Sequence, residues 1–497
     1  MVMVALVGLE SPMSSRSKEA DGSHTAIPKN QSTSAATRGR GLGYTPIPTP
    51  SPPRTSSLVA EEACTDDRVQ NISDQFEMYS GDNSSDDDSC SDSSAYDFGN
   101  SSHGTIHHHG TATRAQMVVN IFISFVGAGL LGLPYAFSRS GWLLGTLCLA
   151  ICSIGNVYSM LLLVNCRKRL ESHGCRRIKG YGDLGREILG HKGEVLVNVC
   201  LVVSQAGFAI AYLIFIAANI QKITSESTGR ASIIYGCVPI LSILVQFRDM
   251  KTLSPFSTVA DVAMLLGLTS VLVQDFKYNS HNDDVKAVDL SGLVYVISVC
   301  MYSLEGAGLI LPLENSYANR EDFPKILKQT LLGITFLMIF FATCGYIAFG
   351  DDTASPISLN LKGETATFVQ MALCIALYFT YPIMMFPVSD VLENLLLADV
   401  HKPPRIYNPS RLLRLCIVLI TATIAYTTPN FGHFLELVGS SICTLLGFIL
   451  PCIFHMQVFG RSESTKWEMI LHVCIIIFGV YFGVVGTIDA IRKLNGV

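Results

Sequence analysis

The chain of 497 residues carries 35 Lys and Arg against 40 Asp and Glu, a formal charge of −5, yet 49% of it is hydrophobic and its mean hydropathy is +0.39. That balance points to an integral membrane protein, and no nucleic-acid partner is expected. Fifteen cysteines include no CxxC pair and no His/Cys metal spacing, so neither a metal site nor a disulfide scaffold is expected. Those inside apolar runs, Cys148, Cys152, Cys200, Cys300, Cys344, Cys374, Cys443, Cys452 and Cys474, read as buried small hydrophobes.

Residues 1–113 form a polar tail, with Pro/Thr punctuation at Thr45 to Pro50 and Ser/Asp low complexity from Asn83 to Ser94. This composition buries too little apolar surface to offset ordering entropy, so the tail is expected to be disordered and cytosolic. Ser84, Ser85, Ser89 and Ser91 lie among acids and suit an acid-directed kinase as a partner; a plain solvated spacer is the other reading. Met1 to Leu9 lacks a basic leading region and does not read as a signal peptide.

From Ala115 onward, apolar runs near the roughly 20 residues that span a bilayer recur between short polar breaks. Spans are expected at 115–138, 141–165, 193–218, 231–247, 256–276, 291–313, 328–349, 366–390, 410–428, 433–456 and 467–490, which makes eleven, the fourth short. Basic residues gather on alternate loops: Arg167, Lys168, Arg169, Arg176, Arg177 and Lys179, then Arg248 and Lys251, Arg320 and Lys325, Lys402 and Arg405, and Arg461. Acid-rich breaks, Asn282-Asp283-Asp284 and Asp351-Asp352, fall on the other side. The basic side is then cytosolic, with the tail, and Val497 is on the far side.

The first span contains Gly127-Ala128-Gly129-Leu130-Leu131-Gly132-Leu133-Pro134, and the sixth contains Gly306-Ala307-Gly308-Leu309-Ile310-Leu311-Pro312. Glycine costs about 1 kcal/mol inside a helix and proline about 3, so both spans are expected to be broken there. Irregular backbone at membrane depth survives only where protein covers it or a cavity lies beside it. Two such breaks at corresponding positions of five-plus-five halves, 115–276 and 291–456, mark the binding site of an inverted-repeat transporter. Half-helix N-termini attract an anion and C-termini a cation. A ligand with carboxylate and ammonium on adjacent atoms suits both, which favours an amino acid.

Seven stretches carry a resemblance: Val126 to Phe137, Tyr181 to Gly185, Ser204 to Phe208, Tyr212 to Ile216, Glu305 to Glu314, Gly345 to Gly350, and Val438 to Ser441. Together they resemble the amino acid/auxin permease family, most of all plant vacuolar amino-acid transporters and, more distantly, animal proton-coupled amino-acid transporters. The resemblance implies an all-α LeuT-type fold with broken first and sixth helices, amino-acid substrates, proton-coupled symport, and the vacuolar membrane, with the plasma membrane as the alternative. The animal members carry a histidine shortly before the first Gly motif, where this chain has Asn120.

Within that frame Gly127, Ala128 and Gly129 offer amides to a substrate, and Ser303 and Gly306 line the other break. Phe208 and Tyr212, one turn apart, suit a lid, and Thr380 falls in a region that faces the site in this fold. Glu305 abuts the second Gly motif; a central acid costs roughly 2.5–3.5 kcal/mol on insertion scales, a cost that taking up a proton removes, so it is the candidate for proton coupling. Asp261 and Glu436 read as end-of-helix or salt-bridged acids, Asp390 and Glu393 as solvated, and His455 and His472 as satisfied core histidines. The Gly-x-Gly elements follow no strand and precede no GK[ST], so they are no phosphate fingerprint. No nucleophile, base and oxyanion set converges, so no enzymatic activity is expected, and no cofactor beyond the proton gradient. The alternative to a transporter is a membrane sensor whose tail recruits a signalling partner.

Overall fold

The computed structural model describes residues 110–175, 177–247, 250–277, 285–397, 409–463 and 465–495. The tail therefore lies outside the described residues except for 110–113, as do Arg176, Arg248, Lys402, Arg405 and the Asn282–Asp284 break. Among the described residues the chain is helical throughout, with one isolated parallel bridge between Ala112 and Tyr317.

Two helices form the first span, α1 (Arg114–Phe125) and α2 (Ala128–Ser140), bent by 55° at Val126-Gly127. Thr113 caps α1 reciprocally with Gln116, which settles its leading amides. Next come α3 (Trp142–Ser172), α4 (Tyr181–Ile223), α5 (Arg230–Leu244) and α6 (Met250–Lys277). The sixth span is again a pair, α7 (Leu293–Ser303) and α8 (Ala307–Ser316), separated by Leu304-Glu305-Gly306. Five more follow: α9 (Phe323–Phe349), α10 (Glu364–Leu397), α11 (Pro409–Thr427), α12 (Phe431–Val438), which runs through π-turns into α13 (Leu450–Glu463), and α14 (Lys466–Leu494).

Among the described residues nine spans meet the length and apolarity needed to cross a bilayer, and the bent α1–α2 pair makes ten. The fourth expected span, α5, has 15 residues, about 22 Å at 1.5 Å per residue, and falls short of the hydrocarbon thickness. The third span also begins earlier than expected. Residues 181–189 were expected in a polar loop, but Asp183 accepts from the amides of Lys179 and Gly180 and starts a helix there. That segment buries Tyr181 and Leu184, and the chain turns at Gly190, where φ is +68°.

The broken helices run antiparallel to each other through the helical bundle. The start of α1 meets the end of α8, where the Ala112 amide donates to the Ser316 carbonyl at 3.1 Å. At the centre Gly129 of α2 faces Ser303 of α7. At the far end the Asp289 amide, just ahead of α7, donates to the Ser140 carbonyl that closes α2, at 2.7 Å. Around this pair the remaining helices bury Phe137, Phe215, Phe341, Tyr346, Tyr381 and Phe431. Of the apolar spans the sixth is the most buried and α14 the least, so the broken pair forms the core and α14 the rim. Large apolar side chains point outward: Ile154, Leu332, Phe336 and Phe368 are each more than 70% exposed, as a lipid-facing surface requires.

Candidate functional site

Helix ends strand backbone groups. The first amides of α2 and α8 and the last carbonyls of α1 and α7 have no intrahelical partner, and antiparallel crossing brings all four ends to the same depth. The Leu130 and Leu309 amides turn back onto Gly127 and Gly306 at 3.1 and 2.9 Å, so each half-helix opens with a tight turn. This leaves the Ala128 and Gly129 amides at the mouth of the first break.

The glycines divide into two kinds. A β-carbon on Gly127 would meet nothing within 4 Å, whereas one on Gly129 would sit 2.8 Å from Ser303 Oγ and 2.9 Å from Ser303 Cα. Gly127 therefore borders open space, and Gly129 lets the two broken helices touch. Gly306 likewise has no room: its missing side chain is replaced by the Phe125 ring. Ala128 is buried, and the Ser303 hydroxyl donates to its own helix at Val299 O, 2.9 Å away.

Glu305 occupies the second break itself. Its Oε1 accepts from the Ala307 amide at 3.2 Å, so the anion-attracting end of α8 already holds a carboxylate of the chain. Asn156 of α3 donates to the Leu304 carbonyl at 2.5 Å and fixes the unwound segment. Gly447, in the second π-turn between α12 and α13, lies beside both: a β-carbon there would be 3.1 Å from Glu305 Oε2 and 3.4 Å from Asn156 Oδ1. Such π-turns recur at functional sites because they displace a stretch of helix sideways.

On the other side the Phe208 ring meets Tyr302 edge-on with centroids 4.9 Å apart, and Tyr212 is buried. The Tyr302 hydroxyl is buried with no hydrogen-bond partner among the described residues. The Thr380 hydroxyl donates to Ala376 O at 2.8 Å within α10, a helix that packs chiefly on α4 and α6. Sequence reading missed Asn156, Tyr302 and Gly447. A polar residue in an otherwise apolar span was a visible signal for Asn156; nothing local marked the other two.

Two other acids are paired. Glu436 is fully buried and accepts from Lys493 Nζ at 3.1 Å, with His433 Nδ1 3.4 Å away. Glu393, expected to be solvated, pairs with the Arg414 side chain at 2.5 Å instead. Arg414 is only 5% exposed there, and a buried guanidinium requires a counter-charge. Asp390 is exposed and Asp261 half-buried. His472 Nε2 pairs with the Tyr158 hydroxyl at 2.8 Å, but Nδ1 of both His455 and His472 has no partner among the described residues. Cys474 is exposed and Cys344 half-buried, while the other cysteines expected in the core are buried.

Residues 110–492 match the family described as transmembrane amino acid transporter protein. The chain is 37% identical over 402 residues to amino acid transporter AVT3B of Arabidopsis thaliana, covering 77% of this chain and 94% of that one. It is 28% identical to vacuolar amino acid transporter 3 of Saccharomyces cerevisiae, covering 76% of this chain and 56% of the relative. It is 26% identical to the proton-coupled amino acid transporter-like protein pathetic of Drosophila melanogaster, covering 77% and 85%.

Proposed function

Since this chain belongs to the transmembrane amino acid transporter family, we propose that it is a proton-coupled symporter of small amino acids in a vacuole-type internal membrane. The substrate site is the crossing of the two breaks. The substrate carboxylate meets the Ala128 and Gly129 amides, beside the open space at Gly127. Its ammonium meets the terminal carbonyls of α1 and α7 near Ser303, with Gly306 and Phe125 behind it. The Phe208–Tyr302 pair, backed by Tyr212, covers the side chain. Thr380, on α10 beside α4, completes the set of substrate contacts.

The observation that carries the reading is the carboxylate of Glu305 on the Ala307 amide. While ionised it caps α8 and holds the second break closed by a charge-assisted bond. A proton on that carboxyl weakens the cap, so the break and the substrate it faces respond to proton supply. The names of the yeast and fly relatives, vacuolar and proton-coupled, support the compartment and the driving ion.

Uptake of labelled amino acids into proteoliposomes with an imposed pH gradient tests this. Glu305→Gln keeps size and a hydrogen-bonding carbonyl but cannot take up or release a proton. It is expected to bind substrate yet fail to accumulate it against a gradient. Accumulation by Glu305→Gln with the wild-type pH profile would remove Glu305 from the coupling path.

A further inference from the structure

Helix α6 turns one face inward: Met264, Leu268 and Val271 are buried, while Val262, Leu265 and Val273 point outward. The next position of the buried face is Asp275, where the helical period calls for another apolar side chain. Asp275 is 2% exposed and lies inside the apolar span Thr258–Phe276. Both of its carboxylate oxygens are without a hydrogen-bond partner among the described residues. In this it differs from Glu305, Glu314, Glu393 and Glu436, each of which has an amide, a guanidinium or an ammonium against it.

The surroundings offer no counter-charge. Helix α6 packs chiefly on α10 and also on α9. From α9 comes Cys344, half-buried, the titratable group close enough to feel a charge on Asp275. From α10 comes Thr365, whose hydroxyl accepts from Gln274 Nε2 at 3.1 Å. On the lipid side Phe276 and Phe340 of α9, with centroids 6.3 Å apart, close the seam. Asp275 and Cys344 stand near the closing ends of α6 and α9, and Thr365 opens α10. The seam is therefore at the level of the Asp351-Asp352 turn that follows α9, on the side of the acid-rich breaks.

An ionised carboxylate without a partner in apolar surroundings is relieved by taking up a proton, and ionisable groups inside membrane spans mark proton-handling positions. We propose that Asp275 is a proton-binding site separate from Glu305, and that its neutral form holds these ends of α6, α9 and α10 together. Bound, the proton leaves an uncharged acid that suits the apolar face. Released, it leaves a carboxylate that draws water into the seam.

The purified full chain in detergent, without substrate or gradient, is followed by infrared spectroscopy as the pH is raised. Wild type is expected to show the carbonyl stretch of a protonated carboxylic acid that fades on titration, and Asp275→Asn to lack one component of it. Any component lost in Glu305→Gln is read separately. Melting temperatures supply a second readout. An acid that keeps its proton in the fold but gives it up in the unfolded chain makes the fold less stable as pH rises. Over the range in which the Asp275 component titrates, wild type should lose several degrees more than Asp275→Asn or Asp275→Leu, neither of which can ionise. Asp275→Leu continues the apolar face and serves should the amide fold poorly. A carbonyl stretch unchanged in both variants, or melting temperatures that fall in parallel for all three proteins, would overturn the proposal. Neither readout involves transport, so failure here and failure of Glu305 in coupling are told apart.

Discussion

A single β-carbon separates the two glycines of the first break. Gly127 borders open space and Gly129 touches Ser303, so the same substitution should act in two ways. Gly127→Ala is expected to leave the melting temperature unchanged and to raise the KM for amino-acid uptake several-fold, because the methyl group intrudes on ligand space. Gly129→Val should instead force α2 and α7 apart, lowering the melting temperature by several degrees as well as abolishing uptake; a variant that melts like wild type would show that the helices separate freely. Asn156→Leu removes the donor to the Leu304 carbonyl. An orphaned buried carbonyl costs about 1–3 kcal/mol, and Glu305 loses its neighbour. Reduced thermal stability together with a displaced pH profile of uptake is expected, whereas a change in stability alone would limit Asn156 to scaffolding.

Helix α8 is tied down at its outer end as well. Arg167 of α3 donates to Glu314 at 2.6 Å, both nearly inaccessible, and to Glu171 at 2.5 Å. Asn315 donates to the Ile178 and Lys179 carbonyls, each at 3.1 Å, and accepts from Arg320. The bridge from Ala112 adds the chain leading into α1 to the same cluster. Losing Glu314 would leave the buried Arg167 with only the part-exposed Glu171 as counter-charge, and breaking a buried pair from one side costs up to about 3–5 kcal/mol. Glu314→Ala should therefore melt well below wild type in a thermal unfolding assay. Arg167→Met/Glu314→Leu, which removes both charges, should recover most of that loss; equal melting of single and double variants would show that the pair contributes nothing specific.

The described helices form a bundle wrapped around two antiparallel broken helices, and its orientation follows from the loops. His173, between α3 and α4, and Glu226, between α4 and α5, are exposed and should face opposite sides of the membrane. On a background freed of reactive native thiols, His173→Cys and Glu226→Cys should react with an impermeant maleimide from opposite faces of sealed vesicles. Labelling from the same face would break the alternation on which a cytosolic tail depends. Deleting residues 1–105 leaves the Ala112 bridge intact. A transporter keeps its flux after that deletion, while a sensor that acts through its tail loses its signalling output.

Most of the spans and the breaks in the first and sixth helices were legible in the sequence, because hydropathy and glycine–proline breaks are local properties that the bilayer enforces without reference to partners. The position of Glu305 at the second break was legible for the same reason, being adjacent to the motif. What surrounds that carboxyl was not. Asn156 and Gly447 lie 149 and 142 residues from it in the chain, and the π-turns that bring Gly447 there left no pattern. The two roles of Gly127 and Gly129 were also invisible, since both stand in one motif and only the neighbour across the crossing, Ser303 or open space, distinguishes them. Glu393 went the same way: a carboxylate near a span end reads as solvated until the fold sets Arg414 against it. Local chemistry determined where the backbone must break; packing between distant segments decided which atoms face the gap.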